Sequence, residues 1–173
     1  MIWVTGLSGS GKTTLCDALW RLLKPKVPAL VSIDGDVIRE AFGQTLGFRE
    51  EDRIVQITRL QNLAKILSDQ RLSVLVAALY ASPALLNWNR TNIPDYFEVY
   101  LQASLDTVKR RDSKGLYGGA AEQVANVVGI DIPWNAPERP DLTISTDAPA
   151  SPETMAQQVI DAVPVLANPR GEK

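Results

Sequence analysis

Histidine is absent from the 173 residues. That excludes a Ser-His-Asp triad, a histidine general base and histidine-ligated zinc, so acid–base work falls to carboxylates, lysine or water. Cysteine occurs once, at Cys16, which rules out a disulfide within one chain. Its place on the apolar side of the first helical pattern predicts a small buried residue rather than a nucleophile. No apolar run reaches the length of a membrane-spanning helix. With 18 Lys and Arg against 20 Asp and Glu, the formal net charge of −2 offers no basic excess for nucleic acid. Internal repeats and low-complexity tracts are also missing. The chain opens directly on strand-like residues, so the expectation is no signal peptide and a reducing, cytoplasmic setting. A hydrophobic share of 45% is ordinary for a globular protein and sufficient for a core without staples.

Against these absences stands Gly6-Leu7-Ser8-Gly9-Ser10-Gly11-Lys12-Thr13. It fits G-x-x-x-x-G-K-[ST], the loop that cradles nucleotide phosphates. The flanks suit that role: Ile2–Thr5 reads as a buried strand, and apolar residues recur at helical spacing from Thr13 to Leu23. The glycines let backbone N–H groups curl around phosphate oxygens, and the following helix adds the positive potential of its N-terminus. Lys12 is expected on the β- and γ-phosphates and the Thr13 hydroxyl on Mg²⁺.

Five strand candidates alternate with helical patterns: Ile2–Thr5, Ala29–Ile33, Ser73–Leu79, Phe97–Leu101 and Asp141–Ser145. Their near-continuous Val, Leu and Ile content predicts a parallel sheet covered on both faces. The clearest helix is Glu50–Asp69, with Ile54, Ile57, Leu60, Leu63, Ala64 and Leu67 expected on one buried face. The last is Pro152–Val163, with Ser151 as its N-cap. The pattern is that of an α/β, three-layer domain of the P-loop NTPase type with a five-stranded parallel sheet, occupying 1–167 and followed by a frayed tail at 168–173. Gly115–Pro140 is long, rich in scattered Gly and Pro, and contains one short helical pattern, Ala120–Val127. Long irregular segments in compact domains are usually functional, and here the natural role is a lid over about 113–140.

Further chemistry clusters at the predicted carboxyl ends of the strands. Asp34-Gly35-Asp36 follows the second strand, where a carboxylate could accept the proton of a substrate hydroxyl or hold Mg²⁺ through water, besides capping a helix. Arg39, Arg53 and Arg59 suit recognition of phosphate or sulfate, and Phe48 offers a stacking ring. Arg110-Arg111-Asp112-Ser113-Lys114-Gly115-Leu116-Tyr117 runs from a helix into the irregular segment, as expected of a lid that closes on phosphates.

With these residues in view, nearly the whole chain resembles the adenylylsulfate kinase family. The resemblance rests on Trp3-Val4-Thr5 leading into the phosphate loop, Asp34-Gly35-Asp36 with Arg39, Leu46-Gly47-Phe48, Asp52-Arg53, Lys114-Gly115-Leu116-Tyr117, Gly129-Ile130-Asp131 and Ala136-Pro137-Glu138. It implies ATP-dependent phosphorylation of the ribose 3′-hydroxyl of adenosine 5′-phosphosulfate, with Mg²⁺, and a homodimer. It also implies an ATP site of Gly6, Ser8, Gly9, Ser10, Gly11, Lys12, Thr13 and Thr14 with Arg111, and Pro137 near a nucleobase. The acceptor would lie against Asp36, Arg39, Phe48, Arg53, Gln56, Lys114, Leu116 and Val127. Lys12, Asp34 and Asp36 would do the catalysis, Asp36 preferred as partner of the hydroxyl and Asp34 reaching the metal through water.

The departures from the family pattern fall mainly on the acceptor side. Gln56 and Thr58 replace a family Asn and Arg, Ala84-Leu85 replaces Tyr-Arg, and Val127-Val128 replaces Phe-Thr, whose ring stacks on the acceptor's adenine. Two lid lysines have become Gly118 and Gly119. A related branch, similar around Trp88-Asn89-Arg90 and Val127–Asp131, acts on cytidine diphosphoramidate in capsule modification, and a smaller base would tolerate loss of the stacking ring. The alternatives are therefore a kinase for another nucleotide and, in a different class, a non-catalytic nucleotide-binding protein. No guanine-reading Asn-Lys-x-Asp motif supports a GTPase.

Overall fold

The computed structural model describes residues 1–43, 45–112, 115–117 and 125–164. Strand β1 (Ile2–Thr5) leads into helix α1 (Lys12–Leu23), then β2 (Leu30–Asp34), α2 (Gly35–Ala41), α3 (Glu50–Asp69), β3 (Ser73–Ala78), α4 (Pro83–Asn92), β4 (Phe97–Gln102), α5 (Leu105–Arg111), β5 (Leu142–Ser145) and α6 (Pro152–Ala162). The strands form one sheet in the order β2-β3-β1-β4-β5, with every pair parallel. The expected α/β architecture and five-stranded parallel sheet are present, with strand ends displaced by about a residue.

Side-chain alternation along buried strands makes three layers. Ile2, Val4, Leu75, Ala77, Val99 and Leu101 face Leu15, Leu19 and Leu23 of α1 and Met155, Ala156 and Val159 of α6. Trp3, Val74, Val76 and Ala78 pack on the opposite side with Leu60 and Ala64 of α3, Leu86 of α4 and Val108 of α5. Both faces are therefore apolar, which is why these strands read as continuous hydrophobic runs. Cys16 is buried as expected, and burial pushes its thiol up to about 12, so it stays protonated.

Local signals explain several boundaries. The Ser151 side chain accepts the Thr154 N–H at 3.1 Å, and Pro152 opens α6 where a missing N–H costs nothing. Ser82 and Ser104 cap α4 and α5 in the same way. Helix α3 has the expected bounds but a rotated buried face. Ile54 is 42% exposed, while Arg53, Gln56 and Gln61 are buried beside Ile57, Leu60 and Ala64. The polar side chains turn inward because each finds a carbonyl: Gln61 donates to Leu85 O and Arg53 to Phe48 O and Asn126 O.

Of the expected helical piece Ala120–Val127, residues 125–127 are not helical and the rest lies outside the described residues. So do the whole expected tail at 168–173, Lys114, Gly118 and Gly119. Beyond it, Val128 bridges Ile132 and the Asp131 carboxylate accepts the Val127 N–H at 2.8 Å, folding Val127–Ile132 into a tight turn.

Candidate active site

The chain reverses its lateral progress across the sheet at β1, which lies between β3 and β4. In such sheets the crevice beyond the carboxyl ends of the strands is the binding site. A cavity of about 1340 Å³ opens there, lined by the phosphate loop, the Asp34–Asp36 turn, the start of α3, the end of α5 and the segment after β5.

The phosphate loop is closed by Ser10 N–H on Leu7 O at 3.1 Å and by the Lys12 ammonium, which donates to Leu7 O at 2.7 Å. Gly6 is dictated by close approach: a β-carbon there would lie 2.5 Å from Leu101 O and 2.8 Å from Ser10 Oγ. Gly11 caps α1 with φ of 100°, a left-handed conformation natural to glycine, and no atom lies within 4 Å of where its β-carbon would be. Ser8 through Thr14 line the cavity, while Gly6 lies behind them. Ser10 Oγ is buried without a hydrogen-bond partner among the described residues, a polar atom suited to a phosphate oxygen.

Asp34 joins this loop to the next. One carboxylate oxygen accepts the Thr13 hydroxyl at 2.7 Å, and the other accepts the Asp36 N–H at 2.8 Å as the N-cap of α2. Capping and site formation are thus one act. Thr13 and Asp34 supply two hard oxygen ligands. Among the described residues no group of three or more His, Cys, Asp or Glu gathers into a cage. That partial set fits a Mg²⁺ ion whose other ligands are phosphate oxygens and water, its usual mode at nucleotide sites. Asp36 lines the cavity next to this pair.

Two arginines flank an aromatic ring on the side formed by α2 and α3. The Arg39 guanidinium lies 4.9 Å and that of Arg53 5.8 Å from the centre of Phe48, whose ring is 56% exposed. Arg39 donates to Gly47 O at 2.7 Å, and Arg53 to Phe48 O at 3.0 Å and Asn126 O at 2.7 Å. Burial is the largest influence on both guanidiniums and draws them below the usual arginine range, a cost that an incoming anion would relieve. Gln56 braces the Asp34–Asp36 turn by donating to Gly35 O at 2.9 Å. Val127 is buried and Leu116 half-buried, and both reach the lining.

Arg111, at the end of α5, donates to Gly9 O at 3.4 Å and to Thr146 O, tying the phosphate loop to the end of β5. Tyr117 reaches back to Ser8 O at 3.2 Å. Pro137 is buried elsewhere, in a separate small pocket with Arg90 and Glu98, so the structure does not bring it to the cavity. The apolar surface on the Arg111 side is instead Ala148, Pro149 and Pro152, beside Thr146. Sequence reasoning missed these residues, and Tyr80 too. Tyr80 is buried in the lining just past β3, and its hydroxyl donates to Glu50. Their signal was position: each follows the carboxyl end of a strand.

A family model described as adenylylsulphate kinase matches residues 1–145. The adenylyl-sulfate kinase of Pseudomonas entomophila is 41% identical over 148 residues, covering 84% of this chain and 71% of the relative. The cytidine diphosphoramidate kinase of Campylobacter jejuni is 35% identical over 161 residues, covering 92% of this chain and 94% of the relative. Among solved structures, the APS kinase CysC of Mycobacterium tuberculosis in complex with AMPPNP and APS superposes with a TM-score of 0.84 at 36% identity, covering 93% of this chain and 95% of that one. A loop closed around its own lysine, a carboxylate joined to the loop threonine and a pair of arginines across the same crevice agree with that match: the chain belongs to the adenylylsulphate kinase family of phosphotransferases that act on a hydroxyl acceptor.

Proposed function

We propose that the chain transfers the γ-phosphoryl group of ATP, in line, to the ribose 3′-hydroxyl of adenosine 5′-phosphosulfate. The observation that carries this reading is the 2.7 Å bond from Thr13 to Asp34 at the edge of a cavity that also holds Asp36, Arg39 and Arg53. ATP lies with its phosphates in the Ser8–Thr14 loop and its base between Arg111 and the Ala148–Pro149 surface. Lys12 stabilises charge on the moving phosphoryl group. Thr13, with Asp34 through water, would hold Mg²⁺, which when bound neutralises charge shared by the β- and γ-phosphates. Asp36 accepts the proton of the acceptor hydroxyl. Arg39 and Arg53 hold the acceptor's anionic group, and Phe48 stacks on its base. Among the described residues no helix is long and apolar enough to cross a membrane, which suits a cytoplasmic enzyme. Val55 and Ile66, exposed on α3, offer apolar surface for a homodimer, tested by light scattering.

A second reading, phosphorylation of cytidine diphosphoramidate, is favoured by Val127. It is 6% exposed and lines the same cavity as Phe48 without adding a ring, which leaves less stacking surface for a purine. The test is ADP formation by purified protein with ATP and Mg²⁺, offered adenylylsulfate or cytidine diphosphoramidate. Turnover that depends on adenylylsulfate supports the first reading, and turnover with the cytidine compound alone replaces it by the second. ATP hydrolysis indifferent to any acceptor would overturn both.

A further inference from the structure

One wall of the acceptor side has the wrong polarity for a purely anionic ligand. Gln56 is 4% exposed and lines the cavity. Its amide N–H is committed to Gly35 O at 2.9 Å, which fixes the orientation of the amide. Its Oε1 is left buried with no hydrogen-bond partner among the described residues. Tyr80, 4% exposed in the same lining, has its only hydroxyl proton committed to Glu50, so its oxygen can only accept further bonds. Arg39 and Arg53 line the same cavity, Arg53 one helical turn before Gln56 on α3. A ligand that satisfies both sets of groups carries anionic oxygens for the arginines and an N–H donor for Gln56. A sulfate or an unsubstituted terminal phosphate presents acceptors only, and two acceptors facing each other leave both unsatisfied.

We infer that Gln56, supported by Tyr80, makes the acceptor site selective for a nucleotide that brings an N–H donor to this wall. The donor has two possible sources with one chemistry: an amino group on phosphorus, or the exocyclic amine of the base. The inference rests on the reading of the Arg39–Arg53 side as the acceptor site. Gln56 acts here as a specificity-determining residue, and a role confined to bracing the Asp34–Asp36 turn would change turnover for all acceptors alike.

The experiment compares matched acceptors on the full chain. Cytidine diphosphoramidate against CDP reads the amino group on phosphorus, and cytidine diphosphoramidate against uridine diphosphoramidate reads the base amine. In at least one pair, kcat/KM should favour the donor-bearing acceptor by about tenfold or more, since a site with an unpaired buried acceptor discriminates against the analogue lacking its donor. Gln56→Met, which keeps the volume and removes the acceptor, should bring that ratio to within about threefold, while loss of the bond to Gly35 O changes turnover of both members of a pair alike and leaves the ratio untouched. Equal kcat/KM within both pairs overturns the inference, as does an undiminished ratio in a folded Gln56→Met protein. If no acceptor is turned over, the kinase reading fails separately, and calorimetric affinities of the same pairs with a non-hydrolysable ATP analogue decide the inference by the same ratios. If Gln56→Met does not fold, Tyr80→Phe takes its place, with a reduced ratio expected and an unchanged one counting against the proposal.

Discussion

Gly6 has no freedom of substitution, because the first position of the phosphate loop is pressed against the backbone of β4. A methyl group there would meet Leu101 O at 2.5 Å. Gly6→Ala should lower stability by about 1–3 kcal/mol, the usual cost of overpacking, and weaken nucleotide binding by displacing the loop; thermal unfolding and nucleotide titration check it. Lys12→Ala removes the cation from the phosphates and should keep the fold, since the bond to Leu7 O lies within the loop, while kcat falls at least about 10²-fold. Retained turnover in that variant would sink the assignment. With Asp36 in its proposed role as acceptor of the hydroxyl proton, Asp36→Asn should lower kcat by about 10²–10⁴-fold with little change in the ATP KM. At this scale the loop, both aspartates, Arg39, Phe48, Arg53 and Arg111 were legible in the sequence, because their chemistry depends on residue type at fixed spacing from a strand. Pro137 lines a separate small pocket and Tyr80 lines the cavity without having been singled out, because which side chains of an irregular segment point into a crevice depends on tertiary packing.

Helix α3 shows what periodicity reads and what it cannot. The apolar pattern gives its bounds, Glu50–Asp69, without error, yet the buried face carries Arg53, Gln56 and Gln61 in place of Ile54. A hydrophobic stripe marks the side facing a core, but near a binding site the same side faces a polar cavity, and local carbonyls repay the buried donors. Strand β4 also buries a charged residue: Glu98, within an apolar run, is 1% exposed. Caps are more legible, since they depend on one side chain and the N–H three residues on. Ser151 caps α6, the helix whose first residues, Pro152 and Met155, line the Arg111 side of the cavity. Ser151→Ala should cost about 1 kcal/mol and lower Tm by about 2–4 °C. Calorimetry checks the shift. A larger loss of ATP affinity than of acceptor affinity would place the effect at the base-binding surface.

Across the whole molecule, the carboxyl edge of the sheet holds the chemistry while a buried polar network holds the helices together beneath it. Tyr96 donates to Glu98 at 2.8 Å, Asn89 to Tyr96 at 3.2 Å and Gln61 to Asn89 at 2.8 Å, which joins α3, α4 and β4. Arg90 lies 3.7 Å from Glu98 and 3.1 Å from Asp141, adding the segment that enters β5. Burial raises the Glu98 carboxyl above its ordinary value of 4.5, and Asp141 adds to the rise, while the Tyr96 hydrogen bond and Arg90 oppose it. Between the ordinary value and the raised one, the folded state holds a proton that the unfolded chain has already released. Stability from this group is fully present below about pH 4.5 and is lost as pH rises through the higher folded value. Glu98→Gln keeps an acceptor for Tyr96 and cannot titrate. Measured by thermal unfolding from acid to neutral pH, the wild type should lose stability relative to Glu98→Gln as pH rises above that point. A difference independent of pH would mean that the Arg90 and Tyr96 contacts hold Glu98 ionised in the folded protein, and that the network is a buried ion pair rather than a carboxylic acid sharing its proton.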